Sequence, residues 1–456
     1  MNFNIPGRGN ASIVNFGTIT ASSGGFAALV APGVRNAGTI SAHLGTVALA
    51  SGNSFTLDMY GDKLIQVAVG DQIADKVIDV STGKPLSSLV SNEGTLRANG
   101  GRVEITAAAA RHIVDSVINN KGVIEANSVG TRAGRIVLGG ATQTAGLPKQ
   151  TIKISGKISA TGKDKGAKGG TIQITGEDIQ FAAAMLDVSG HSGGGKILVG
   201  GDYGGGKPIP GIVNNQSWVL ENNAIPTAST VTVDSATTFN ASATVNGHGG
   251  KVILWSDVLT TFAGTIFARG GEQGGNGGFV EVSGKQQLAF TGSVDTRAPY
   301  GTTGTLLLDP ADFYIDPEGG PPRPAGASVM TNVQVQTLLA SNDVVITTDN
   351  NANPAGQFGD ITVNAGITWA SSNSLTLSAY RNVVVNASIT NTAGGAAVIL
   401  RADNTGTGVG TVSFASTSVD ISTAGQVSIF YNPSVNPAGG GVNGTSYVSP
   451  VENYND

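Results

Sequence analysis

Apolar residues alternate with unconstrained ones in a phrase, Gly-x-φ-x-φ with φ apolar, that returns from one end of the chain to the other. It reads Gly45-Thr46-Val47-Ala48-Leu49, Gly101-Arg102-Val103-Glu104-Ile105, Gly170-Thr171-Ile172-Gln173-Ile174 and Gly195-Lys196-Ile197-Leu198-Val199. It returns as Gly250-Lys251-Val252-Ile253-Leu254, Gly278-Phe279-Val280-Glu281-Val282 and Gly410-Thr411-Val412-Ser413-Phe414. Side chains on a strand alternate between two faces, so the phrase predicts strands that bury one face. The predicted inward core is Val47, Leu49, Val103, Ile105, Ile172, Ile174, Val252, Leu254, Val280 and Val282, with Glu281 and its equivalents facing out.

A second phrase usually precedes the first: Gly17-Thr18-Ile19-Thr20-Ala21, Gly38-Thr39-Ile40-Ser41-Ala42, Gly94-Thr95-Leu96-Arg97-Ala98, Gly122-Val123-Ile124-Glu125-Ala126, Gly156-Lys157-Ile158-Ser159-Ala160 and Gly264-Thr265-Ile266-Phe267-Ala268. Four of these carry Asn two places before Gly: Asn15 before Gly17, Asn36 before Gly38, Asn92 before Gly94 and Asn120 before Gly122. Asn and Gly tolerate positive φ, so Asn-x-Gly predicts a corner between strands. Stacked corners would let the amides bond in a ladder; turn chemistry alone is the alternative.

Like phrases recur about every 21 residues early and about every 28 later, within the range that signals solenoids. Each repeat holds three short strands, so each predicts one turn of a parallel β-helix, all-β throughout. A rung of ~24 residues allows roughly 19 turns and a rod on the order of 90 Å long. Residues 1–315 form the first block. Residues 316–340 predict a Pro/Gly-rich linker, because Pro cannot sit in a central strand, followed by a short helix over 333–339. Such a helix would cover exposed coil edges. Strand patterning resumes over 341–456 as a second β-helix block. Ala107–Ile118 fits either a helical turn or the third side of a coil, and the coil is the favoured reading.

Composition narrows the function. Charged residues are 12% of the chain and 67 residues are Gly without a collagen triplet, which excludes disorder and collagen. A net charge of -5 argues against a nucleic-acid partner, and the Lys163-Lys165-Lys168 group reads as a solvated corner. Cysteine is absent, which fits either a reducing compartment or a chain that crosses a secretion pore unfolded. No apolar run is long enough to span a membrane as a helix, Met1–Asn10 lacks signal-peptide character, and Tyr447–Asp456 offers no strands to close an outer-membrane barrel.

Candidate chemistry is sparse. Gly247-His248-Gly249 matches one element of a polygalacturonase-like signature, but the companion motifs are absent and glycoside hydrolysis needs two opposed carboxylates. Asp309, Asp312 and Asp316 have spacing compatible with calcium, although satisfying local turn amides is the simpler role. Gly200-Gly201-Asp202 occurs once, without the iteration a calcium repeat needs. His43, His112, His191 and His248 lack partners at zinc-ligand spacing. No catalytic residue, cofactor site or metal site is therefore assigned. Outward aromatics such as Trp255, Phe267 and Phe279 are candidates to stack on sugar rings or receptor side chains.

The phrases SIVNFGTITA, LVAPGVRNAGTISAHLGTVALASGNSFTLDMYGDKLIQVAV, GGKVILWSD, GTIFARGGEQGGNGGFVEVSGKQ and VDTRAPYGTTGTLLLDP resemble filamentous haemagglutinin-type exoproteins of the two-partner secretion pathway. The later ITVNAGITWASSNSLTLSA and VSIFYNP are similar to the region that follows in large members. The resemblance implies a right-handed parallel β-helix, exported through an outer-membrane partner transporter, secreted or held at the bacterial surface. It implies a non-catalytic role in adhesion, haemagglutination or biofilm, with a host or bacterial receptor or glycan as partner. The family's signal peptide and Asn-Pro-Asn-type motif are missing, so the expectation is a piece of a longer exoprotein. The alternatives are a β-helical carbohydrate-active enzyme and the stalk of a contact-dependent toxin. The predicted register carries its own test by chemical denaturation: Val280→Asp should cost several kcal/mol, while the outward Glu281→Lys should be nearly neutral.

Overall fold

Each phrase folds into the strand that its pattern predicts, and each type of phrase keeps to a face of its own, with the last Gly-x-φ-x-φ phrase as the exception. The computed structural model describes residues 2–3, 8–52, 54–57, 67–70, 73, 75–110, 113–140, 149–207, 225–349, 356–393, 395–406, 409–416 and 418–430. His112 and the Tyr447–Asp456 end lie outside them. The chain is a parallel β-helix with three strand-bearing faces, its second strands being those of the Gly17-type phrase. The third face is one parallel sheet of thirteen strands, from Phe26–Ala31 to Val427–Phe430. At about 4.8 Å per strand it runs about 58 Å. This is shorter than a uniform rung length predicts, because residues leave the coil between rungs. The longest early departure separates Asn36 from Asn92, 56 residues on, and contains the antiparallel pair Ser54–Leu57 and Val67–Gly70.

Inside the coil, equivalent residues stack in columns. Val47, Val103, Ile136, Ile172, Ile197, Val252 and Val280 follow one another in register along the third face. Leu49, Ile105, Leu138, Ile174, Val199, Leu254 and Val282 form the parallel column two residues on. All of these side chains are fully buried. Burial of each is worth roughly 1.5–3 kcal/mol against exposure, so the columns are the main source of stability. The last Gly-x-φ-x-φ phrase is displaced: Val412–Phe414 lies on the first face beside Val383–Val385, not on the third.

The corners form a ladder, for a reason other than positive φ. Asn15 Nδ2 donates to Asn36 Oδ1, Asn36 to Asn92 and Asn92 to Asn120, each at 2.8 Å. None of these Asn residues nor Gly17, Gly38, Gly94 or Gly122 has positive φ. Gly is required there by crowding. A Cβ at Gly38 would lie 2.0 Å from the Gly17 carbonyl oxygen, one at Gly94 2.0 Å from that of Gly38, and one at Gly122 2.1 Å from that of Gly94. Above Asn120 the same column turns apolar, through Ile154, Phe181, Val233, Phe262 and Phe290. Phe262 and Phe290 stand 5.1 Å apart between centroids.

The segment 316–340 is built into the coil. Third-face strands Thr305–Leu308 and Asp343–Thr347 pair directly across it, so the sheet continues without a break. Phe313–Asp316 and Ser328–Thr331 both lie in the first-face sheet, and the later strand doubles back: Ser328 Oγ accepts from Leu288 N on the rung before, at 2.9 Å. Pro321, Pro322 and Pro324 fall in the turn between these strands, where no ladder donor is needed. The helix Asn332–Leu339 starts at a capping box made by Thr331 and Gln334. It takes the place of a second-face strand, between Ser293–Asp295 below and Ile367–Trp369 above. Asn342 Nδ2 bridges Val294 O at 2.9 Å and Leu338 O at 2.8 Å, and Gln336 Oε1 accepts from Thr368 N at 2.8 Å. Around the stretch 107–118, strand Arg102–Ala107 ends the third face and Ser116–Asn120 begins the next turn; residues 111–112 lie outside the described residues.

Two outward assignments are corrected. Glu281 is fully buried, and the outward aromatics Trp255 and Phe279 are buried too. Beyond Val199, Tyr203 and Ile225 lie over the third face in a second apolar cluster with Leu198, Ile253, Trp255 and Phe279. Alternation decides which residues leave the coil interior, but not whether a further layer covers them. Glu281→Lys is consequently expected to destabilise, not to be neutral.

The crowded corners set a test. Gly94→Ala is expected to cost about 1–3 kcal/mol by overpacking, whereas Gly139→Ala, whose added methyl meets only Thr175 Oγ1 at 3.8 Å, stays within about 1 kcal/mol. Urea unfolding followed by circular dichroism measures both, and equal losses would contradict the stacking geometry.

Candidate functional site

Where the helix replaces a strand, the second face gains a ledge and a cleft beside it. The cleft has a volume of about 820 Å³ and runs across the ends of second-face strands, from Asn240 and Phe267 past Arg297 to Ala340 and Asn373. A smaller cavity of about 400 Å³ lies on the other side of Phe267, between strand Ser293–Asp295 and helix residues Val333, Thr337 and Leu338. Phe267 lines both, so its ring stands between them. Of the three outward aromatics, Phe267 lines these two cavities and Trp255 and Phe279 do not.

Strand register brings the polar groups of the cleft together. Phe267 pairs with Asp295 one rung up, which places Arg269 and Arg297 just beyond the ends of the two strands. Arg269 Nε donates to Asp295 Oδ2 at 2.8 Å. Arg297 donates through Nε to Oδ1 at 3.0 Å and through Nη2 to Oδ2 at 2.6 Å. The Arg269 guanidinium also lies over the Phe267 ring, 4.6 Å from its centroid. Burial opposes ionisation of Asp295, yet the bonds from Arg297 and Arg269 prevail and hold its carboxyl below the ordinary carboxylate range. The Asp295 side chain is 11% exposed, while those of Arg269 and Arg297 are 46% and 59% exposed. The acid is an internal brace, and the two cations face the cleft.

The remaining candidates are dispersed or spent on structure. Asp312 Oδ1 accepts from the backbone N–H groups of Phe358, Gly359 and Asp360 at 2.9, 2.6 and 2.9 Å, so the amides it satisfies belong to the next rung and not to its own turn. Asp316 pairs with Arg323 and accepts from Asn364 Nδ2 at 2.8 Å. His248 Nδ1 accepts from Asn276 N at 2.9 Å and His191 Nδ1 from Gly166 N at 3.3 Å, both across turns. Among the described residues no group of three His, Cys, Asp or Glu is placed to hold a metal ion, and no helix is long and apolar enough to cross a membrane.

No protein-family model matches the chain, and no curated protein does. Among solved structures, the crystal structure of the HMW1 secretion domain from Haemophilus influenzae is similar to it. Identity is 28% and the TM-score 0.46, over 63% of this chain and 65% of that one. The chain thus spans just under two thirds of that neighbour's length.

A second polar group, missed by sequence reasoning, lies beneath the layer that covers the third face. Glu281 accepts from Gly204 N at 3.2 and 3.3 Å through its two oxygens. Burial pushes its carboxyl up to about 8, against the bonds from Gly204 and Ser283; Asp202 adds to the rise and Lys251 opposes it. Burial, followed by the charges of Glu281 and Asp349, also raises Asp309 well above its ordinary value, with Lys285 opposing. Neither cavity is lined by Glu281 or Asp309, and both carboxyls are buried. Their effect is on stability. The folded chain keeps a proton on Glu281 that the unfolded chain releases above the ordinary carboxyl value of 4.5, so stability falls as pH rises from there through about 8. Glu281→Gln is expected to flatten this decline without abolishing it, since Asp309 contributes in the same direction. Melting temperatures between pH 5 and pH 8.5 measure the difference; an unchanged slope in the variant would refute the assignment.

Proposed function

We propose that this chain is a non-catalytic structural and adhesive segment of a large secreted exoprotein of the filamentous haemagglutinin type. It is exported through an outer-membrane partner transporter and acts in contact with host or neighbouring bacterial cells. The observation that carries this reading is the unbroken third-face sheet of thirteen parallel strands, whose interior columns are aliphatic from Val47 to Ile429. Such a rod gives its function to its surface, because its interior is filled by side chains that hold the coil together.

Two further features support the reading. Each rung rests on the one before it, and cysteine is absent, so the chain can enter a pore unfolded and coil progressively as it emerges. The long phrases quoted above that resemble such exoproteins supply the third-face strands Lys251–Ser256, Phe279–Gly284 and Thr305–Leu308.

The test uses the full chain coupled to beads. Retention of epithelial cells or bacteria above the level of uncoated beads is expected, with no new reducing ends released from acidic or neutral polysaccharides. Sustained polysaccharide cleavage that His248→Ala abolishes would overturn the non-catalytic reading, and beads that retain no cells would overturn the adhesive one.

A further inference from the structure

We propose that the cleft beside the helix binds an acidic oligosaccharide, with a sugar carboxylate on the Arg269–Arg297 pair and the sugar rings along the Phe267 wall. The proposal deepens the adhesive reading and rests on it for biological meaning, while its chemistry stands on the cleft alone.

The volume of about 820 Å³ falls within the range of ligand sites, and the adjoining 400 Å³ cavity extends it past Phe267. A single sugar would leave most of this space empty, so a short chain is the better fit. The charge in the main cleft comes from Arg269, Arg297 and Glu272. Asp295 lies behind the two arginines, mostly buried, and fixes both guanidinium planes. Each guanidinium carries five N–H donors in a fixed fork, and the bonds to Asp295 use only the Nε and Nη2 groups. The Nη1 groups of both side chains remain for a ligand. Two braced cations with spare donors suit a planar carboxylate, which accepts paired guanidinium bonds.

The rest of the lining favours a polyhydroxylated ring over a peptide. Thr303 and Ser372 offer hydroxyls that both donate and accept, matching sugar hydroxyls, while Ser242 Oγ already accepts from Arg269 N and keeps its donor, and Thr244 Oγ1 donates to Gly190 O and keeps its acceptor. Ala298, Pro299 and the part of Phe267 that Arg269 leaves uncovered supply an apolar wall for the C–H face of a pyranose. The main cleft is lined by strand residues Asn240 and Phe267, by the residues just beyond the strand ends and by the helix C-cap Ala340, while the helix itself lines the smaller cavity. The pairing of Phe267 with Asp295 and the bonds to Asp295 hold the two arginines in place before the ligand arrives.

The experiment is isothermal titration of the full chain with hexameric oligogalacturonate, maltohexaose and hexaglutamate. Oligogalacturonate is expected to bind, more weakly as salt rises, with the other two at least about tenfold weaker. Arg297→Gln and Phe267→Ala should each lower oligogalacturonate affinity by about tenfold, while Thr232→Ala, on an exposed first-face position, leaves it unchanged. Arg269→Gln provides an independent loss, and far-ultraviolet circular dichroism establishes that each variant remains folded. Absence of oligogalacturonate binding, equal binding of maltohexaose or hexaglutamate, or full affinity in folded Arg297→Gln and Arg269→Gln would each overturn the proposal. Loss of glycan binding with cell retention intact would remove this cleft and leave the adhesive reading standing.

Discussion

The structure depends on how closely one turn of backbone can lie on the next. At corners before second-face strands, as at Gly38, Gly94, Gly122 and Gly156, and before third-face strands, as at Gly45, Gly101, Gly170, Gly195, Gly250, Gly278 and Gly304, a glycine sits against the carbonyl oxygen of a glycine one rung below. Any side chain there would fall about 2 Å from that oxygen, as at Gly38 on Gly17 and at Gly101 on Gly45. The glycine columns fix the approach of the rungs, and that approach brings the strands into ladder register. Register in turn aligns the valine, isoleucine and leucine columns and the corner amides. A parallel sheet has no hairpin turn to set its alignment, so these corners do what hairpins do in antiparallel sheets.

A coil built this way tolerates departures between rungs, and the departures create its individual features. Beyond Val199, Tyr203 and Ile225 lie over the third face, where Trp255, Phe279 and Glu281 are buried. Residues between Asp316 and Asp343 double back through a strand and a helix, yet the third-face sheet passes them uninterrupted. The helix fills one second-face position and meets both neighbouring strands through Asn342, Gln336 and Asn332. Because a helix is thicker than a strand, its substitution produces the ledge and the cleft next to it. The same event that interrupts the repeat makes a large concave surface, and Arg269 and Arg297 stand at that surface.

Stability and recognition are therefore divided between the inside and the outside of the rod. The interior is a column of aliphatic side chains with little chemistry to offer. The exterior has two kinds of polar cluster. One, around Glu281, is sealed and makes stability sensitive to pH. The other, around Asp295, is open on one side because its acid is braced inward and its arginines are turned toward solvent. Similar residue types give opposite outcomes because one cluster lies under a second layer and the other at the edge of a ledge.

The strands, their inward columns and their grouping into coils were legible in the sequence, since period-two alternation and recurring glycines are local signals repeated many times. The asparagine ladder was legible too, at Asn15, Asn36, Asn92 and Asn120, although the glycines beside it serve close approach and not positive φ. The helix over 332–339 could be placed within a residue, but not its role, because a prolyl turn in a coil reads the same as a linker in one dimension. The fates of Trp255, Phe267, Phe279 and Glu281 could not be read at all. Local pattern determines which side of a strand a residue takes; what lies on that side is decided by contacts between segments far apart in the chain, and only the tertiary structure brings them together.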